Sequence, residues 1–585
     1  MFSRMHRVRA PTATIGHVVS PPDRSAVMLP ETRRRETYAW TLGGLLLLLS
    51  TVLSGARIHR ERFLIPGGDV LNHASEVHFD ADRFGTSIVG VRAAYHAVAR
   101  HPGPFYNWIV SSGELLNRLG LSASTDGAIF LLLVVTWSLL WLGGSFTLAK
   151  GFGSAYGAAL VGVVAAAGYV APRVAGVPVY SGNDLLVVPA ALLLLTAVAS
   201  WDRGWKPSLV PMTLGSGVLA HVHALTLLPG LAGLLLATVL LFRHRRSLSR
   251  RLRAITSTVL IGLTAPLIAG FAVFPGHLSG YVDLYLGGPR LASQGAATEA
   301  TALSVLRTCL SITRWNWGAD NEPQRPGNLA FGVFLSVLAL SLLVTIVRTR
   351  GVLRLAIALM IPLFPVYIAK VRPDLPAQVR YLELFSALVL FCVSFTVGET
   401  LDWLITRTTR QQAHVHRNAP ALLLGLSLPL ITVNLWPLLP GGEGVYYGLR
   451  PDKVSPLPQE LVDTDIVFLV PPSLRPQGAR LALASIRSGH RSCLHGAPEP
   501  GTDHGAISEV RDFVMPCPNH GLLLRLDHAT PPGTGTPAAD VYEIADLDGA
   551  PSYVKVTELG QVYCRGSTPC GDARLPEETF ELREP

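Results

Sequence analysis

Apolar runs long enough to cross a lipid bilayer recur along most of this chain, and they limit what it can fold into. The hydrocarbon core of a bilayer is about 30 Å thick, so a spanning helix needs about 20 mostly apolar residues. Only 15% of the 585 residues are charged, against about 25% in soluble domains. Eleven spans can be drawn, at 39–56, 128–148, 153–172, 183–200, 207–223, 225–242, 254–274, 329–347, 353–369, 381–405 and 419–438. The sequence therefore predicts a mostly α-helical, multi-pass membrane protein.

Lysine and arginine collect in alternate short loops, which predicts the orientation of these spans. Cytoplasmic loops retain Lys and Arg, and the most basic loop, RHRRSLSRRLR, occupies 243–253. Orientation explains the excess of 49 Lys and Arg over 40 Asp and Glu better than nucleic-acid binding does. We expect a disordered cytoplasmic tail, 1–38, a transmembrane domain, 39–439, and an extracytoplasmic region, 440–585. Abundant Arg with scarce Lys indicates, by association only, a GC-rich bacterium of the actinobacterial kind, and hence a bacterial plasma membrane.

Residues 440–585 differ in composition from the spans and predict a small α/β domain. Charge rises there, and Pro and Gly punctuate short β-type runs. A helical pattern, GARLALASIRSG, follows the first of these runs. The β-type runs occupy 465–470, 522–526, 541–545 and 553–556.

Four cysteines of this region, Cys493, Cys517, Cys564 and Cys570, predict disulfide bonds. The compartment is expected to be oxidising, and the spacings lack the paired CxxC of most zinc sites. Four cysteines allow three pairings. We favour Cys564 with Cys570, which closes a short loop, and Cys493 with Cys517. A zinc site is the alternative.

The first loop, 57–127, is polar although apolar spans flank it, and Asp69 lies near its start in the sequence GGDVLNH. A carboxylate shielded at the membrane surface can act as general base on a sugar hydroxyl. Asp69 could equally cap the helix that follows it. Glu76, Asp80 and Asp82 are the alternative acids. Glu76 and Asp80 share a helix face and could contact substrate or hold a divalent cation, Mg²⁺ or Mn²⁺.

Cations and a rigid turn follow in the same loop. Arg92, His96 and Arg100 recur every four residues on one face of a helical pattern. That face suits recognition of a lipid phosphate or ordinary contact with headgroups. The HPGP turn, 101–104, bends the chain before a predicted helix at 105–119. His101 could bind substrate or brace the turn.

Further candidates for substrate contact lie after this turn and in later loops. Tyr106, with its aromatic neighbours Phe105 and Trp108, suits a sugar platform or the membrane interface. His221, at the outer end of the span at 207–223, could face a cavity. Arg372 and Arg380 lie in a short outer loop, and Arg380 is the best single cation for a donor phosphate. Two histidines at 221 and 223 do not share a helix face, so we expect no metal site there.

The order of these features resembles the GT-C superfamily of polyprenyl-phosphate-sugar glycosyltransferases. The pattern GGD…HPGPFYNW, between Gly67 and Trp108, is similar to the first loop of bacterial members. The resemblance is specific over 57–110, extends as architecture over the other spans, and does not reach 440–585. It implies that Asp69 takes the position of the family's catalytic acid. No Asp-Glu or Asp-Asp doublet occurs at this position, which leaves metal dependence open.

The resemblance implies inverting transfer of a sugar from a polyprenyl-phosphate donor to an envelope glycan, lipid or protein. Asp69 would deprotonate the acceptor hydroxyl, and cations would stabilise the departing lipid phosphate. No nucleotide site is needed, and the sequence carries no Walker loop. Two alternatives remain. A lipid or glycan transporter would need polar residues deep in several spans, and these are few. A non-catalytic envelope-assembly scaffold would need neither the acid nor the turn.

Overall fold

The structure, a computed structural model, describes parts of the chain from both the apolar and the C-terminal regions. The residues described are 45, 49, 63–64, 74, 77–78, 89–90, 101–122, 125–152, 182–273, 328–348, 396, 450–451, 465–496, 508–509, 520–529, 541–545, 551–564 and 580–583.

Helices dominate the apolar region. In chain order they are α1 Phe105–Arg118, α2 Thr125–Phe152, α3 Gly182–Asp202, α4 Leu209–Val222, α5 Ala224–Arg243, α6 Arg250–Val273 and α7 Asn328–Arg348. α1 coincides with the helix predicted after the HPGP turn, and α2 to α7 coincide with six of the predicted spans to within a few residues. The other five spans lie outside the described residues except at single helical positions, so the count of eleven stays a prediction.

Three stretches of the described chain are long and apolar enough to cross a membrane, by length and composition. They are Gly127–Gly144, Thr226–Arg243 and Arg250–Val273. Large apolar side chains such as Leu235, Ile268 and Leu329 are exposed on α5, α6 and α7. Apolar patches of this kind suit contact with lipid rather than water.

The helix α4 lies at the centre of the described bundle. It contacts α1, α2, α3, α5 and α6, and most of its residues are buried. Its 14 residues rise only about 21 Å, so the helix is shorter than the span predicted at 207–223. Glycines allow the close packing: a Cβ on Gly217 would overlap Leu263 of α6, and one on Gly230 of α5 would overlap the backbone of Ala220.

A single residue, His223, connects α4 to α5. Its backbone is extended, with φ −149° and ψ 145°. The hydroxyl of Thr226 donates to the carbonyl oxygens of Leu219, at 2.6 Å, and His223, at 2.9 Å. The end of a helix leaves carbonyl groups without intrahelical partners. Thr226 therefore stabilises the tight turn that makes α4 and α5 an antiparallel hairpin.

The C-terminal region forms a mixed sheet around one helix, α8 Arg475–Arg487. A parallel β3–α8–β4 unit lies at its centre, and β6 adds parallel to β3 on the other side. The strands pair in the order β5-β4-β3-β6-β8-β7, with β9 beside β8. Their bounds are β3 Ile466–Val470, β4 Ser492–Gly496, β5 Ser508–Glu509, β6 His520–His528, β7 Val541–Ala545, β8 Pro551–Cys564 and β9 Phe580–Arg583.

The four runs predicted as β-type lie in β3, β6, β7 and β8, and the predicted helical pattern overlaps α8. Cys493 in β4 is disulfide-bonded. Cys517 and Cys570 lie outside the described residues, and Cys564 ends β8. Which cysteines pair, and where this domain begins and ends, stay predictions.

Replacing Gly230 by alanine should lower the apparent melting temperature, because the new Cβ overlaps the backbone of Ala220. Overpacking of this kind costs about 1–3 kcal/mol. Gly262→Ala on α6 is the matched control, since nothing lies within 4 Å of its Cβ position. It should be neutral or slightly stabilising. Thermal unfolding of both variants in one detergent checks this, and equal shifts would contradict the α4–α5 packing.

Candidate functional site

The HPGP turn rests on the C-terminal end of the central helix α4. The N–H of Gly103 donates to the carbonyl oxygen of His221 at 3.3 Å. A Cβ on Gly103 would overlap the imidazole of His221, so the backbone approaches this closely only because the residue is glycine. Earlier in the first loop, the N–H of Gly90 donates to the carbonyl oxygen of His101 at 3.1 Å. Backbone hydrogen bonds therefore join Gly90 to the HPGP turn, and the turn to the central helix.

Histidine and aromatic rings collect where the turn meets α4. The ring centroids of His101 and His223 are 5.2 Å apart, and those of Trp108 and His221 are 5.7 Å apart. Phe105 lies edge-on to His221 at 6.4 Å. Phe105 and Trp108 keep part of their surface exposed. Partly exposed aromatic rings beside polar groups can stack on a sugar ring.

His221 is fully buried, and its contacts define its tautomer. Its Nε2 lies 2.7 Å from the carbonyl oxygen of Leu263 in α6. A carbonyl only accepts, so Nε2 carries the proton and Nδ1 is an acceptor. Nδ1 is buried without a hydrogen-bond partner among the described residues, beside Gly103. His221 thus joins α6 to the HPGP turn, and its predicted contact with substrate stays a prediction.

His101 is neutral in this setting. Burial lowers the pKa of His101 to about 4, well below the ordinary value near 6.5. A neutral imidazole offers one donor and one acceptor, which suits a sugar hydroxyl better than a phosphate.

The described residues contain no group of three or more His, Cys, Asp or Glu that could hold a metal ion.

Asn107 is a further site residue that the sequence reasoning missed. It is fully buried, and its Nδ2 donates to the carbonyl oxygen of Val89 at 2.9 Å. Together with the Gly90–His101 hydrogen bond, this fixes the preceding part of the loop against α1. The signal that could have identified Asn107 is its place as the one amide among the aromatic residues of the first helical turn.

Glu114 of α1 joins the first loop to the C-terminal region. Its carboxylate lies 3.1 Å from Nε2 of His78 and 3.4 Å from Nε of Arg487 in α8, and its side chain is 8% exposed. Burial acts to raise the pKa of Glu114. The hydrogen bond from His78 and the positive charges of His78, Arg487 and Arg118 outweigh burial and hold the pKa below its ordinary value. Glu114 is therefore ionised at neutral pH.

A short pair of strands makes a second connection between the same regions. β1 Phe63–Leu64 of the first loop pairs antiparallel with β2 Arg450–Pro451. A membrane cannot separate two strands that share hydrogen bonds. The pairing is what the predicted topology requires, since that topology puts the first loop and the C-terminal region on the same side of the bilayer. The topology itself stays a prediction.

Most of the residues predicted to act on substrate lie outside the described residues. They are Asp69, Glu76, Asp80, Arg92, Arg372 and Arg380. Near them, the described residues Ala74 and Val77 are helical and buried. Tyr106 is described and is only 2% exposed, so the structure does not bring its ring to an open surface. Phe105 and Trp108 are the aromatic residues with accessible faces.

Comparison with known proteins gives similarities of low identity. No family model matches the chain. The comparison with curated proteins finds no match. Among solved structures, ArnT from Cupriavidus metallidurans bound to undecaprenyl phosphate is 14% identical, with a TM-score of 0.41 over 88% of this chain and 97% of that one. The archaeal oligosaccharyltransferase AglB from Archaeoglobus fulgidus, in complex with an inhibitory peptide and a dolichol-phosphate, is 12% identical. Its TM-score is 0.30 over 77% of this chain and 63% of that one.

Both proteins are members of the GT-C superfamily, which the first loop resembles in sequence. Because both TM-scores are below 0.5, the activity proposed below rests on the residues of this chain.

Glu114→Gln should lower the apparent melting temperature at neutral pH, because it leaves Arg487 and His78 without their anion. Loss of one member of a buried, hydrogen-bonded charge pair costs about 1–3 kcal/mol when the partner keeps some exposure. Glu558→Gln, an exposed residue of β8, is the matched control and should be neutral. Thermal unfolding in detergent at a fixed scan rate gives the comparison.

The difference in stability between wild type and Glu114→Gln should also depend on pH. The pKa of Glu114 is lowered in the folded chain, so its stabilising contribution is complete above the ordinary pKa and is lost as pH falls through the folded pKa. The difference between wild type and Glu114→Gln should therefore be constant near neutral pH and shrink below pH 4.5. A difference that does not change down to the folded pKa would contradict an ionised Glu114.

Proposed function

We propose that this chain is an integral membrane glycosyltransferase that moves a sugar from a polyprenyl-phosphate donor to an extracytoplasmic acceptor of the bacterial cell envelope. The observation that supports it most is the seating of the HPGP turn on α4. That contact gathers a neutral His101 and the accessible rings of Phe105 and Trp108 in the loop that carries Asp69. An apolar bundle ending in such a polar, rigid loop suits a substrate with a lipid tail and a sugar head.

The proposed chemistry is a single inverting displacement at the anomeric carbon. Asp69 takes the proton from the acceptor hydroxyl, and the acceptor oxygen attacks the anomeric carbon from the face opposite the phosphate. The bond between the anomeric carbon and the phosphate oxygen breaks, and the lipid phosphate leaves with the electron pair. The sugar is then linked to the acceptor with inverted configuration.

The remaining predicted residues divide between the phosphate and the sugar. Arg380, with Arg372 and Arg92, would stabilise the negative charge that grows on the leaving phosphate. His101, neutral at physiological pH, would bond a sugar hydroxyl. Glu76 and Asp80 would contact the sugar or hold a divalent cation that neutralises the phosphate.

The hydroxyl groups of the described helices favour an enzyme over a transporter. Polar groups along a transport pathway would face a water-filled cavity. In α2, α3, α4 and α6, six of these hydroxyls donate to the carbonyl oxygen four residues earlier in their own helix. These internally satisfied groups are those of Thr136, Thr147, Thr196, Thr213, Ser216 and Thr256.

The position of α8 favours a role for the C-terminal region in the reaction over the alternative of a non-catalytic scaffold. Arg487 reaches the carboxylate of Glu114, which also holds His78 of the first loop. Movement of the C-terminal region would therefore move the first loop. We propose that residues 440–585 help to position the acceptor beside Asp69.

Asp69→Asn should abolish most transfer while leaving the fold intact. Asparagine keeps the size and the capping ability of aspartate but removes the base, so the rate should fall about 10²–10⁴-fold. The measurement is transfer of radiolabelled sugar from a polyprenyl-phosphate donor by membranes that contain equal amounts of each variant. The apparent melting temperature should change by no more than that of the Glu558→Gln control.

If Asp69→Asn is fully active, the general base is instead Glu76, Asp80 or Asp82. The corresponding amide variants test these three residues one at a time. If none of the four variants loses activity, the glycosyltransferase reading of this loop is wrong.

A further inference from the structure

An open cleft lies between the end of α5 and the start of α6, and no part of the proposed reaction uses it. Its volume is about 330 Å³. Both helices and the turn between them contribute to its lining. That lining combines apolar Leu241, Phe242 and Ala254 with the basic Arg245, Arg250 and Arg253.

The three arginines of the cleft have no carboxylate beside them in the part of the chain that the structure describes. Among the described residues, none of their side chains forms an ion pair, and Nε of Arg253 is buried without a hydrogen-bond partner. The segment 243–253 contains six arginines and no Asp or Glu. A buried guanidinium nitrogen without an acceptor is costly, so an external acceptor would stabilise this arrangement.

The backbone adds to the positive potential at the same place. α6 begins at Arg250 and has no acidic residue in its first turn. The N-terminus of a helix carries partial positive charge and favours anions. Arginines in this turn repel the helix dipole and one another. A bound anion would remove both penalties, and Ser257, which also lines the cleft, adds a hydroxyl donor.

The cleft is far from the HPGP turn and lies at the ends of two helices that are long and apolar enough to cross a membrane. α5 begins at Ala224, next to the His223 turn, and ends at Arg243, so the two places are separated by about 30 Å. The candidate membrane span Thr226–Arg243 ends at this cleft, and the candidate span Arg250–Val273 begins there. An apolar wall below a basic rim matches a headgroup phosphate with an acyl chain attached.

We infer that this cleft binds the headgroup phosphate of an anionic phospholipid. The arginines hold the phosphate oxygens through charge-assisted hydrogen bonds, and the first acyl carbons lie along Leu241, Phe242 and Ala254. The bound lipid fastens the α5–α6 turn to the membrane surface. This site is independent of the proposed transferase activity.

The test titrates the purified full-length chain in a neutral detergent with phosphatidylglycerol that carries a fluorescent acyl chain. Arg250→Gln with Arg253→Gln removes two arginines from the cleft. Arg246→Gln with Arg251→Gln removes the same charge from the same segment, at exposed positions that do not line it. At about 1 kcal/mol for each arginine, the cleft pair should weaken binding about 30-fold. The control pair should weaken it severalfold at most.

A further variant and a competition measurement complete the test. Ala254→Phe fills the cleft without changing charge and should weaken binding even if the double arginine variant does not fold. Unlabelled phosphatidylglycerol should displace the probe, whereas phosphatidylcholine and millimolar inorganic phosphate should not. Equal losses in the two arginine pairs would overturn the inference and leave the basic run as a topology signal alone. Displacement by inorganic phosphate at the same concentration as the lipid would also overturn it.

Discussion

The arrangement of the described chain depends on burial of a short helix on all sides. α4 has 14 residues and contacts five other described helices. A helix enclosed in this way cannot move without breaking the packing around it. The HPGP turn docks through Gly103 on His221, in the last turn of this helix. The described part of the proposed site, from His101 to Trp108, therefore lies against an element that is itself enclosed.

The second constraint comes from outside the bundle. Glu114 draws together His78 of the first loop and Arg487 of α8, and a two-residue strand pair makes a further connection. The first loop is thus held between the central helix on one side and the C-terminal sheet domain on the other. Catalysis by positioning needs groups fixed to within a fraction of an ångström. A loop held at two separate points meets that need better than a loop anchored at its ends.

Sequence reasoning predicted the elements whose cause is local. Six apolar runs appear as helices because bilayer thickness sets a length that composition reveals, and the β-type runs around Phe468 and Leu524 appear as strands. It did not predict contacts whose partners are far apart in the chain. Glu114 and Arg487 are 373 residues apart, and neither has a local pattern that indicates the other. The predicted spans 207–223 and 225–242 already left one residue between them, within one position of His223. The hydrogen bonds from Thr226 that stabilise this turn were not predicted, because they depend on tertiary geometry. Tyr106 looked suited to a sugar platform by residue type, yet its position on α1 buries it.

The proposed donor is a lipid-phosphate sugar, which no nucleotide-linked sugar should be able to replace. The most direct measurement supplies purified chain in lipid nanodiscs with one radiolabelled sugar in two forms, linked either to polyprenyl phosphate or to a nucleotide, together with cell-envelope acceptor. Labelled product and released polyprenyl phosphate are expected from the lipid-linked donor alone. Transfer from the nucleotide-linked donor, or no transfer from any lipid-linked sugar offered, would contradict this proposal.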